Sequence, residues 1–289
     1  EHIDHSKFIY KPDKKALEAD AKAKTVKHAV EHTFADFKFD PIVQGNLAEK
    51  GYLQPTPIQD QTIMHALAGK DVLGLANTGS GKTAAFLLPL IDKVVKDPKQ
   101  KVIILAPTRE LAMQINKEFQ EFARGLKIFS TVCVGGMPIF RQMQNLRMVN
   151  HFVIGTPGRI KDLAHRKCIV YNQFTNVVLD EVDHMLDMGF VDDITEILEG
   201  LAKPRQSLFF SATMPPRIRT LVSKFLVEPT TIDIAVPGST KTVEQDIVKV
   251  SRDQKFDVLC KLLKSEGATR TIIFVETKRE VEEVARGLA

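Results

Sequence analysis

Ala76-Asn77-Thr78-Gly79-Ser80-Gly81-Lys82-Thr83 follows a short apolar run, Asp71–Ala76, and opens a stretch at helical spacing, Thr83–Val95. A strand that turns through glycines into a helix is the setting in which a backbone cradles an anion. Gly79 and Gly81 let N–H groups turn inward where a side chain would block approach, and the helix N-terminus adds its dipole. In that setting Thr78, Gly79, Ser80 and Gly81 line the phosphates of a nucleotide, Lys82 reaches the β- and γ-phosphates, and the Thr83 hydroxyl ligates Mg²⁺. Ala76 stands where the general GxxxxGK[ST] pattern has Gly, and a glycine-rich strand–helix turn without a ligand is the alternative reading.

Working outward, similar runs occur at Val102–Ala106, Ile128–Val134, Phe152–Ile154, Asn176–Leu179 and Ser207–Phe210. They are apolar without strict alternation, as parallel strands covered on both faces are. Helix-like sequence follows each. Leu111, Ile115, Phe119 and Phe122 share one helical face, and Leu221, Phe225 and Leu226 suggest another. Strand–helix alternation predicts an α/β fold, an open, mainly parallel sheet with helices on both faces, whose ligands bind at the carboxyl ends of the strands.

The stretch Val227–Val243, with Pro229, Pro237 and Gly238 among Thr and Ser, reads as a linker. Beyond it the pattern predicts a helix at Lys255–Leu263, a strand at Thr271–Val275 and a helix at Lys278–Leu288, too little to close a second sheet. Residues 1–33 are rich in Lys, Ala and acidic side chains and read as an extension, helical in part over Ala16–Val30. The expected organisation is therefore 1–33 extension, 34–227 first domain, 228–243 linker and 244–289 the start of a second domain. At 289 residues, 44% apolar and with a formal charge of +4, the chain can bury a sizeable core and tolerates a polyanionic partner. Cys133, Cys168 and Cys260 form no paired motif, and no run is long enough to span a membrane, so a cytoplasmic protein with reduced thiols is expected.

Val177-Val178-Leu179-Asp180-Glu181-Val182-Asp183 is an apolar strand ending in three carboxylates. Clustered negative charge is costly unless a cation neutralises it. Beside a phosphate loop, Asp180 would hold Mg²⁺ through water and Glu181 would orient and deprotonate the water attacking the γ-phosphate. A solvated acidic loop is the alternative.

The ordered series of segments resembles the DEAD-box family of ATP-dependent RNA helicases. Gly51-Tyr52-Leu53-Gln54-Pro55-Thr56-Pro57-Ile58-Gln59, with Phe34 upstream, is similar to the family's adenine-reading motif. Pro107-Thr108-Arg109-Glu110-Leu111-Ala112, Gly135-Gly136 and Thr156-Pro157-Gly158-Arg159 resemble its three RNA-facing segments. Ser211-Ala212-Thr213 resembles its coupling motif, and Ile272-Ile273-Phe274-Val275-Glu276-Thr277 the first motif of its second domain.

The resemblance implies a RecA-like P-loop domain that uses ATP and Mg²⁺ and binds RNA without reading sequence. Gln59 would pair with adenine N6 and N7, and Tyr52 would stack on the base unless it is a core tyrosine. Pro107, Thr108, Arg109, Gly135, Gly136, Thr156, Pro157 and Arg159 would hold RNA phosphates and sugars, although Thr-Pro-Gly-Arg alone is an ordinary helix start. Ser211 and Thr213 would hydrogen-bond Asp183 and link the nucleotide site to domain position, or else simply cap the next helix.

Val182 occupies the third place of the family's Asp-Glu-Ala-Asp tetrad, and Asn77 replaces the commoner Gln in the phosphate loop. Ala285-Arg286-Gly287-Leu288-Ala289 echoes a late family motif but continues a charged helix, so it is not that motif. The family's arginine fingers lie in motifs outside this sequence, so slow ATP turnover by a monomeric chain is expected. Two other functions use the same core, a nucleotide-dependent RNA clamp that does not unwind and a DNA translocase.

Overall fold

The computed structural model describes residues 30–234, 247–264 and 270–288. The first range forms one compact unit, and the other two belong to a second. The helical reading of Ala16–Val30 falls almost wholly outside the described residues, as does most of the linker.

In the larger unit the chain runs α1 (Pro41–Glu49), α2 (Pro57–Leu67), β1 (Val72–Leu75), α3 (Lys82–Lys96), β2 (Val102–Leu105), α4 (Arg109–Phe122) and β3 (Ser130–Cys133). It continues through α5 (Ile139–Arg147), β4 (Phe152–Gly155), α6 (Pro157–His165), β5 (Asn176–Leu179), α7 (Val182–Asp187), α8 (Val191–Gly200), β6 (Gln206–Ser211), α9 (Pro216–Phe225) and β7 (Thr230–Asp233). The strands form one sheet in the order β3-β4-β2-β5-β6-β1-β7, every pair parallel.

Strand periodicity divides the core into two layers. Val102 and Ile104 of β2 join Val178, Leu208 and Phe210 beneath α1 to α4. Ile103 and Leu105 point the other way, with Val177, Leu179 and Phe209, against α6 to α9. Both faces are covered, which is why these strands read as unbroken apolar runs. Close packing sets one backbone position in particular. A methyl on Gly155 would lie 2.8 Å from the carbonyl carbon of Cys133 on the neighbouring strand, with the carbonyl oxygen closer still.

The six predicted strands form, with no end shifted by more than two residues. The seventh, β7, corrects the linker reading, since Thr230–Asp233 pairs with Val72–Leu75. Only Ile232 of β7 is buried, and an edge strand with one solvated face looks polar in sequence.

At the amino ends of β5 and β6 the polar groups are tied off internally. Lys93 Nζ donates to Asn176 Oδ1 and Gln206 Oε1, each at 2.8 Å, and burial lowers the pKa of that amine. The carboxyl ends carry different chemistry.

The second unit contains α10 (Lys255–Leu263) and α11 (Lys278–Leu288), as expected. The strand predicted at Thr271–Val275 is not formed. Ile272 and Phe274 are exposed, and no neighbouring strand among the described residues offers the ladder that a parallel strand requires.

Candidate active site and nucleic-acid face

Register places the chemistry on one rim. Leu75 pairs with Ser211, Leu105 with both Gly155 and Leu179, and Cys133 with Gly155, so the carboxyl ends of six strands align. The sheet order then sorts them. Strands β5, β6 and β1 carry the acidic end, the Ser-Ala-Thr segment and the phosphate loop. Strands β3, β4 and β2 carry the three segments expected to face RNA.

In the phosphate loop Gly79 and Gly81 have φ of +81° and +95°, the left-handed region where glycine carries no steric penalty. Lys82, the first residue of α3, is buried and donates from Nζ to the Ala76 carbonyl at 2.9 Å. The Ser80 hydroxyl is buried without a hydrogen-bond partner. Thr78 and Gly79 are exposed and Thr83 half-buried. A loop with left-handed glycines, an inward lysine and an unmatched hydroxyl fits a polyphosphate.

Asp180 is 2% exposed. Burial lifts its carboxyl to about 7, the Lys82 ammonium pulls it down and Glu181 pushes it up. A carboxylate held there is stabilised by a cation. No group of three or more His, Cys, Asp or Glu side chains that could hold a metal exists among the described residues. The donor set of Asp180 and the Thr83 hydroxyl suits Mg²⁺, which retains waters and takes its remaining oxygens from phosphates.

Glu181 adopts φ 54°, ψ 55° at the N-cap of α7, a conformation that costs a non-glycine residue about 1–2 kcal/mol. Its carboxylate lies between the Thr78 hydroxyl at 3.4 Å and His184 Nδ1 at 3.5 Å. His184 was not expected from the motif. Its spacing, one helical turn after Glu181, is the signal that marks it. Val182 is fully buried among the layer beneath α6 to α9, so the tetrad's variant position is a packing position.

Asp183 Oδ2 accepts from the amides of Ala212 and Thr213, at 3.2 and 2.9 Å, and from the Thr213 hydroxyl at 2.9 Å. The expected Asp183–Thr213 bond is present. The expected Ser211 bond is not, because the Ser211 hydroxyl donates to the Thr213 carbonyl at 2.7 Å and shapes the turn instead.

Gln59 sits in α2, 2% exposed. Its Oε1 accepts from Thr56 N at 2.9 Å and its Nε2 donates to the Gly81 carbonyl at 3.1 Å. Each amide end keeps one further valence for a base. The contact with the phosphate loop was missed, since the capping-box pattern Thr56-x-x-Gln59 marks only the bond to Thr56 N. A methyl on Gly81 would lie 2.5 Å from that Nε2, so the loop glycine also serves this contact. Tyr52 packs edge-on to Phe34 and Phe122, centroids 5.8 and 5.6 Å away. It is half-buried against the core, which is the core-tyrosine alternative, and that packing fixes the ring.

On the other half of the rim the segments meet around the β3–α5 loop. The Arg109 guanidinium covers Gly136, whose φ is +74° and where a methyl would come 3.2 Å from Arg109 Cζ. Arg159 Nη1 donates to the Met137 carbonyl at 3.2 Å. Thr108 caps α4 through Leu111 N at 3.2 Å, and Thr156 N donates to the Cys133 carbonyl at 3.1 Å. Arg109 and Gly136 are exposed, Gly135 and Thr108 half-buried, and Thr156 nearly covered. Pro107 and Pro157 are buried, so they shape the turns rather than present a surface.

The sequence pattern of the DEAD/DEAH box helicase family matches residues 56–221. A Bacillus cereus protein named DEAD-box ATP-dependent RNA helicase CshA is 41% identical over 259 residues, covering 89% of this chain and 49% of that protein. A Listeria monocytogenes ATP-dependent RNA helicase CshA is 41% identical over 257 residues, covering 88% of this chain and 49% of its own. The chain thus spans about half the length of the curated relatives it matches. A crystal structure of a DEAD box protein from the hyperthermophile Methanococcus jannaschii superposes with TM-score 0.67 at 34% identity, covering 89% of this chain and 69% of that one.

Proposed function

The chain belongs to the DEAD/DEAH box helicase family, and we propose on that premise that it binds ATP with Mg²⁺ and couples hydrolysis to sequence-independent gripping of single-stranded or short duplex RNA and local strand separation. The RecA-like unit ending near β7 is the ATP-binding domain in this reading, and the residues from about 244 begin a second.

One observation supports the reading. A single rim holds the phosphate loop, the acidic strand end and the Ser-Ala-Thr segment on β1, β5 and β6, and the three segments expected to face RNA on β2, β3 and β4, joined through the β2–β5 pair.

Gln59 would read adenine while holding the loop through the Gly81 carbonyl. Lys82 would leave the Ala76 carbonyl for the β- and γ-phosphate oxygens, an exchange of one acceptor for a charged one that favours the nucleotide complex. Asp180 and Thr83 would hold Mg²⁺, which when bound would supply charge neutralisation to the phosphates. Glu181, aimed by its backbone and flanked by Thr78 and His184, would orient the attacking water and take its proton. Asp183 would carry the state of this site to the Ser211–Thr213 turn. Across the rim Arg109, Arg159, Thr108, Thr156 and the Gly135–Gly136 backbone would hold phosphates and sugars, contacts that position a strand without reading bases.

Arg109 and Arg159 lie at the β3–α5 loop on the RNA half of the rim, and no arginine among the described residues is assigned to the γ-phosphate. A finger of that kind is worth about 10³–10⁵ in rate, so turnover by these residues alone should be slow. An aimed Glu181 favours an enzyme over a clamp that only holds nucleotide.

The test is adenine and guanine nucleotide binding, with steady-state hydrolysis measured with and without competing RNA or DNA, for the chain and for Glu181→Gln. Preferential ATP binding, slow hydrolysis lost in the variant with binding retained, and preference for RNA support the proposal. Equal GTP binding, or hydrolysis unchanged in the variant, would refute it. DNA preference would select the translocase.

A further inference from the structure

The segment that follows β3 carries a feature not used by phosphate gripping. Phe140, in the first turn of α5, is 77% exposed, and Met137 is 47% exposed. A loosely packed helix does not account for this. Ile139, Met143 and Leu146 pack against the core layer on an adjacent face, and Gln142 Nε2 donates to the Val134 carbonyl at 3.0 Å, anchoring the helix to the end of β3. The exposed aromatic ring is thus held on a fixed support, four residues beyond Gly136.

The loop before Phe140 is held by arginines, which also have Glu110 and Asp162 nearby at 3.9 and 4.0 Å. Arg109 covers Gly136, Arg159 holds the Met137 carbonyl, and Arg141 beside Phe140 is exposed. An exposed aromatic ring on a segment whose loop is held by two arginines suits a nucleobase attached to a phosphate backbone. Base–aromatic stacking is tolerant of sequence because every base has a π-face. An apolar protein partner would gain nothing from the three arginines.

We propose that Phe140, with Met137 beside it, is a stacking platform for one base of the RNA strand whose backbone Arg109, Gly136 and Arg159 hold. The proposal rests on the RNA-gripping reading and adds to it a direct contact with a base, independent of which base it is.

The chain contains no tryptophan, so Phe140→Trp introduces a single indole reporter at an exposed position that does not disturb the core. Its emission would be titrated with an end-labelled ten-nucleotide RNA and with an abasic ribose-phosphate strand of the same length, with binding followed separately by label anisotropy. Quenching by the RNA but not by the bound abasic strand is the expected result. Phe140→Ala should weaken RNA binding roughly five- to 150-fold, the range of a single base–aromatic stack, and leave abasic binding unchanged. Unchanged indole emission while anisotropy reports RNA binding would overturn the platform and leave the gripping rim intact. If neither strand changes the anisotropy, the gripping rim itself fails and the platform fails with it.

Discussion

Replacing Gly155 by alanine should destabilise the larger unit by about 2–6 kcal/mol while sparing nucleotide affinity. The added methyl would lie 2.8 Å from the Cys133 carbonyl carbon and 3.1 Å from Cys133 Cβ, where ordinary contact begins at 3.4 Å. Both neighbours are fixed parts of β3, so β3 and β4 must separate. Forcing an extra methylene into a packed core costs about 1–3 kcal/mol. The separation also strains the bonds from Thr156 N to the Cys133 carbonyl and from Ala106 N to the Gly155 carbonyl, at 3.1 and 3.0 Å, each worth about 0.5–1.5 kcal/mol net. In a unit of this size roughly 2–4 °C of Tm follows each kcal/mol, so thermal melting by circular dichroism should fall by roughly 5–20 °C. Measured well below both transitions, ATP binding should stay within twofold, because β1, β5 and β6 lie across β2 from the strain, whereas RNA binding should weaken as Thr156 moves. A Tm change under about 2 °C would refute the packing argument. Parallel loss of both affinities would refute the division of the rim.

The Asp183–Thr213 bond should show in a double-mutant cycle. Urea denaturation of Thr213→Val, Asp183→Ala and the double variant should give a coupling near 1 kcal/mol, discounted for the exposure of Thr213, and strictly additive effects would mean the bond is absent in solution. Burial pushes the Cys133 thiol up to about 12, so at pH 8 it stays protonated. Ellman's reagent should modify Cys168 and Cys260 in the native chain and reach Cys133 only on unfolding or near pH 12, and a third rapid equivalent at pH 8 would contradict the placement of Cys133.

The elements that were legible from sequence are those whose signals are local. The six buried strands and the phosphate-loop helix announce themselves through unbroken apolar runs and paired glycines. β7 escaped because Pro229 and the solvated Thr230, Thr231 and Asp233 hide a single buried Ile232. The site was legible as a set of residues but not as a set of contacts. The sequence placed Ser211 and Thr213 together at one strand end, yet only backbone geometry decides that Thr213 bonds Asp183 while Ser211 turns to a carbonyl. Likewise the Gln59–Gly81 bond crosses from one helix to a distant loop. The sequence could not show Arg109 lying over Gly136, because nothing in their spacing implies contact. Conversely, the exposure of Phe140 became visible only once Gln142 had fixed which face of α5 turns inward.

The left-handed backbone of Glu181 has a consequence for selection. Glycine or asparagine would adopt φ 54° with less strain, so a laboratory screen that rewards heat resistance alone should drift toward those residues at 181. The same drift would discard the carboxylate poised beside Thr78. A lineage that retains glutamate there is therefore keeping a locally unfavourable residue, and the persistence of that choice across variants selected for growth would serve as a record that turnover, and not mere occupancy of the nucleotide site, is what the cell requires of this fold.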